Sequence, residues 1–72
     1  MPDLDARHLR CPLPVLRARK ALAALPPGAT LRLLTTDPMA LIDIPHFCTE
    51  AGHPLLAQTQ EGDETTWLIE RG

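Results

Sequence analysis

The chain has 72 residues, with seven Lys or Arg against nine Asp or Glu, three His, and a formal net charge of −2. A chain of this length makes one domain, expected over residues 1–72, with a thin core and no room for a large buried pocket or a dinucleotide with its own subdomain. The slight acidity and the scarcity of aromatics, only Phe47 and Trp67, argue against direct nucleic-acid binding, and no apolar run approaches membrane-spanning length.

The opening Met1-Pro2-Asp3-Leu4-Asp5 has neither a basic n-region nor an apolar h-region, so it does not read as a secretory signal. Two cysteines in that context imply free thiols in a reducing cytoplasm rather than a disulfide scaffold. Leu4 to Arg7 alternates apolar and polar residues and predicts a short first strand. His8-Leu9-Arg10 then connects it to Cys11-Pro12-Leu13-Pro14. From Pro12 the pattern turns helical, with Val15, Ala18, Leu22 and Leu25 on one face and Arg17, Lys20 and Ala24 opposite. Leu13 points away from the apolar stripe and Leu16 sits on its flank. Pro26-Pro27-Gly28 stops the helix.

Leu31 to Thr35 predicts a second strand, parallel to the first through a right-handed crossover. Asp37 is a good N-cap for a second helix and Pro38 a good first residue. Pro45 is expected to kink or split that helix, with Asp43 capping its second half. Ile44, Phe47, Cys48 and Ala51 form its apolar side, and Gly52 closes it. Leu55 to Gln60 and Thr65 to Glu70 predict an antiparallel hairpin across the polar turn 61–64. The expected fold class is α/β: a two-layer sandwich in the order β-α-β-α-β-β, a four-stranded mixed sheet with two helices on one face.

Cys11 is the candidate reactive group. Pro12 and Pro14 suit a first helical turn, because the N–H they lack would have no intrahelical partner there. That places Cys11 at or next to the N-cap, where unpaired N–H groups and the helix dipole favour the thiolate. The expected titration is below the ordinary thiol value. His8, as a nearby imidazolium, is a further candidate for supporting that thiolate. Cys48, among Phe47 and Ala51, reads as core packing. His8, His46 and His53 with the two cysteines lack the spacing of a zinc site, so no metal and no bound cofactor are expected.

Three stretches together resemble the TusA/SirA-like family of small sulfur carriers. They are Leu4-Asp5 with Leu9 and Cys11-Pro12-x-Pro14; Asp37-Pro38; and Asp43-Ile44-Pro45-x-Phe47-Cys48 with His53. The resemblance runs from Leu4 to about Ile69. One position departs from it: the family usually has glycine where this chain has His8. The resemblance implies that Cys11 takes sulfane sulfur from a cysteine desulfurase or rhodanese-like donor, holds it as a transient persulfide, and passes it to an acceptor protein. The family's relays serve tRNA thiolation and oxidative sulfur metabolism. Such a carrier must dock on both partners. Arg10, Arg17, Arg19 and Lys20, with Leu13 and Leu16 as apolar anchors, are the expected docking rim; as plain chemistry they also suit a solvated helix face. Two other readings stand beside the carrier: a binding or regulatory module using the same surface, and a redox switch between Cys11 and Cys48.

Overall fold

The structure, a computed structural model, describes all residues from Met1 to Gly72. Thr30–Thr35 and Glu64–Glu70 are extended with alternate residues buried, and the chain is helical where apolar residues recur every third or fourth position. Strand β1 is Asp3–Ala6, helix α1 Leu13–Ala23, strand β2 Thr30–Thr35, helix α2 Ala40–Ala51, strand β3 Leu55–Glu61 and strand β4 Glu64–Glu70. The order is the expected β-α-β-α-β-β. The four strands form one mixed sheet in the order β1-β2-β4-β3. β1 runs parallel to β2, with Asp3 opposite Arg32. β4 lies antiparallel to both of its neighbours, β2 and β3.

One face of the sheet is buried. On β2 it is Leu31, Leu33 and Thr35, and on β4 Thr65, Trp67 and Ile69. The period of two sends Arg32 to the other face. Ala18 and Leu22 of α1, and Ala40, Ile44, Phe47 and Cys48 of α2, close on that buried face as a single core. Val15 and Leu25 pack at its edge, as their spacing predicts. Within this core the Trp67 indole N–H donates to Thr35 Oγ1 at 2.9 Å, which satisfies both buried polar groups.

Cys11 stands next to the N-cap of α1 as expected, with Pro12 one position earlier than a first-turn residue, and the start of α2 differs more. α1 begins at Leu13 with Pro12 as N-cap and Pro14 inside the first turn. The Pro12 carbonyl accepts the Leu16 N–H at 3.1 Å, as an N-cap carbonyl does. α2 begins at Ala40, three residues after Asp37, because the chain first makes a tight turn closed by Ala40 N–H to Asp37 O at 3.0 Å. Nor does Pro45 split the helix. α2 runs unbroken through it, and Asp43 lies in the first turn instead of capping a second half. Proline forfeits one backbone hydrogen bond, but Ile44, Phe47 and Cys48 around it are buried and hold the helix together by packing. Gly52 ends α2 in the left-handed conformation at φ 74°, as expected.

Pro2 and Arg71 both join the start of β2. The Arg32 N–H donates to Pro2 O at 2.9 Å, the Arg71 N–H to Ala29 O at 2.7 Å, and the Gly28 N–H to Arg71 O at 2.7 Å.

Candidate functional site

Neighbouring parallel strands deliver their outgoing loops to the same end of a sheet, where sites in α/β folds gather. The loops leaving β1 and β2 meet there. After β1 the chain reverses at His8, whose φ of 68° lies in the left-handed region. Its N–H donates to Thr36 Oγ1 at 2.8 Å. The next turn closes with Leu13 N–H to Arg10 O at 2.8 Å, and the Cys11–Pro12 peptide within it is cis.

The Asp37 carboxylate joins the two loops. Oδ2 accepts the Cys11 N–H at 2.7 Å and Oδ1 the Met39 N–H at 3.2 Å. One side chain thus fixes the backbone of the cysteine and starts the turn into α2. Cys11 is exposed at the head of an open groove of about 870 Å³ between the helices. Val15, Arg19 and Ala23 form its α1 wall and Asp43, His46 and Glu50 its α2 wall; Phe47, His53 and Arg71 also line it. The Arg19 guanidinium lies 5.5 Å from the centroid of the Phe47 ring, and the Phe47 and His53 rings are 5.7 Å apart. His46 Nε2 stands 3.6 Å from Glu50 Oε1.

The expectation of a readily ionised thiol is corrected. Cys11 is held above the ordinary thiol value, first by Asp43 as hydrogen-bond partner, then by desolvation, then by the negative charges of Asp43 and Asp37. The helix end offers little to offset this, because only the Val15 N–H among its first donors is left without an acceptor. Pro12 and Pro14 have no N–H, the Leu13 and Leu16 N–H groups go to Arg10 O and Pro12 O, and Cys11's own N–H goes to Asp37. The prolines that brace this turn remove two of the N–H groups that would have favoured the thiolate.

The other sequence-derived residues fall in four places. Pro12 lines the groove beside Cys11, and Pro14 is buried beneath. Arg10, Leu13, Leu16, Arg17 and Lys20 are exposed, Leu13 and Leu16 at 42% and 49%. His8 is exposed and does not line the groove; its place in the structure is the left-handed turn. Cys48 is buried, and desolvation raises its thiol.

Sequence reasoning missed Asp43 as a neighbour of the sulfur, and Met39 and Ile42 as exposed apolar side chains at 46% and 64%. Ile42 is an apolar residue off the buried stripe of α2, a signal present in the sequence. Asp43 carried none, since its place near Cys11 depends on how the turn after β1 meets the first turn of α2. No three His, Cys, Asp or Glu side chains gather as metal ligands, and no helix is long and apolar enough to cross a membrane.

A family model described as sulfurtransferase TusA matches residues 3–71. Among solved structures, the chain is similar to the crystal structure of a SirA-like protein from Desulfitobacterium hafniense. The two are 26% identical with a TM-score of 0.86, over 100% of this chain and 99% of that one. The fold, the Cys11-Pro12-Leu13-Pro14 turn and a family match across nearly every residue agree: this chain belongs to the sulfurtransferase TusA family, which indicates a sulfur carrier.

Proposed function

We propose that Cys11 carries sulfane sulfur as a persulfide between two proteins. The observation that supports this most directly is the contrast between the two thiols: Cys11 is exposed on a turn fixed by Asp37, whereas Cys48 is packed in the core. The donor is a protein persulfide, of the kind a cysteine desulfurase or rhodanese-like enzyme holds. The Cys11 thiolate attacks its outer sulfur. The donor's S–S bond breaks, a new S–S bond forms on Cys11, and the donor leaves as thiolate, with no external oxidant or reductant. An acceptor thiolate then repeats the exchange on the outer sulfur of Cys11. The relay ends in a thiolation pathway, of tRNA or of sulfur metabolism, and the protein is a cytoplasmic transferase component without a bound cofactor. Arg10, Arg17 and Lys20, with Leu13 and Leu16, meet the partners beside the sulfur.

The test is intact mass after incubation with a cysteine desulfurase and cysteine, or with a rhodanese and its sulfur donor. Wild type gains one sulfur atom that a reductant removes. Cys11→Ser keeps nearly the same shape, folds, and gains none. Failure of every donor to load wild type leaves a protein-binding module in place of the carrier. Loss of loading in a folded Cys48→Ala variant leaves the dithiol switch.

A further inference from the structure

One carboxylate that shares the groove with the sulfur, Asp43, has no part in the exchange as written. Asp43 is half-buried in the first turn of α2 and lines the groove together with Cys11. It makes no ion pair and accepts no N–H, unlike Asp37, whose two oxygens are both occupied. A free carboxylate beside a nucleophile that must become an anion opposes the reaction. The charged groups around it do not cancel that opposition. From α1, Arg19 lies over the Phe47 ring; from α2, His46 faces Glu50; beyond β4, Arg71 is bonded to Gly72 O and tied to the start of β2, with His53 bound to the Gly72 N–H; from the loop after β2, Asp37 adds a second negative charge. Arg10, just before the cysteine, is exposed and in no ion pair. The arrangement therefore works against Cys11 for as long as the protein is alone.

We propose that Asp43 is a gate on Cys11, closed in the free carrier and opened by a partner protein whose docking face brings an Arg or Lys against it. This rests on the carrier reading of Cys11 and adds a condition to it. Two effects follow from one charge. The negative site keeps the free thiol from reacting with whatever electrophile it meets. It also repels small anionic thiols, which would otherwise strip the outer sulfur from a loaded carrier in solution. A docked cation pairs with the Asp43 carboxylate, the Cys11 proton leaves to water, and the thiolate attacks. The partner has apolar ground to stand on beside this charge. Met39 shares Asp37 with Cys11, and Ile42 is exposed one helical turn further along α2.

Three thiol-alkylating reagents of different charge test the gate without any sulfur donor: neutral iodoacetamide, anionic iodoacetate and cationic 2-bromoethylamine. Wild type should discriminate between them by charge, favouring the cation and disfavouring the anion relative to free cysteine. In Asp43→Asn the reaction with iodoacetamide at pH 7 should rise roughly three- to tenfold. Its rate–pH profile should move to lower pH, and the discrimination should collapse. Asp43→Glu, which keeps the charge, should stay close to wild type. Thermal melting followed by circular dichroism establishes that each variant is folded. A folded Asp43→Asn variant with an unchanged pH profile and unchanged reagent preference overturns the gate. Failure of the carrier reading shows separately, as the absence of donor-loaded sulfur.

Discussion

His8 holds a conformation that glycine adopts without penalty, and its own N–H donates to Thr36 Oγ1 there. A side chain in the left-handed region costs about 1–2 kcal/mol, part of which glycine returns through its freer unfolded state. The family's usual glycine at this position has a backbone reason, which the resemblance alone did not supply. His8→Gly should stabilise the fold by about 0.5–1 kcal/mol, read from urea denaturation. The same variant should leave the alkylation of Cys11 against pH unchanged, since His8 does not line the groove. A shifted profile would restore the imidazole as a support of the thiolate. At Cys11 itself, sequence reasoning found the residue and misjudged its electrostatics. Helix position was legible from the prolines, but the absence of their N–H groups was weighed for helix geometry and not for the sulfur.

At the level of elements, period and punctuation carried nearly everything. Alternation located β1, β-forming residues on either side of a polar turn located the β3–β4 hairpin, the switch to helical spacing located α1, and Gly52 marked the end of α2. The errors came where tertiary packing overrode a local rule. Pro45 breaks an isolated helix, yet three buried neighbours keep α2 whole. What no local pattern contains is the Asp37 bond to Cys11, which spans 26 positions. The outer face of α1 yields its own prediction. Arg17 and Lys20 are exposed and form no ion pair, so reversing both to Glu should leave the fold intact. Sulfur acceptance from a loaded donor should slow roughly three- to tenfold at low salt, because rim charges act on encounter. The deficit should shrink as ionic strength rises and the screening length falls below ~8–10 Å. Equal rates for wild type and variant across several donors would remove this face from docking.

For the molecule as a whole, stability rests on a core shared by both helices and three strands, with few residues to spare. A domain of this size holds only about 3–5 kcal/mol in such a core. Thr35→Val keeps the shape at the centre of the sheet but leaves the buried Trp67 N–H without its acceptor. The expected cost is about 1–3 kcal/mol, a large share of the total, measured by thermal or urea unfolding with Trp67 fluorescence. Sulfur loading per folded molecule should not change, because neither residue lines the groove. The hydrogen bonds that tie Pro2 and Arg71 to the start of β2 have one further consequence. Chain attached before Met1 or after Gly72 emerges at the far pole of the sheet from Cys11. A tether, a fused enzyme or a solid support joined at either terminus would hold the protein by its base and leave the sulfur end turned outward, free to meet a second protein.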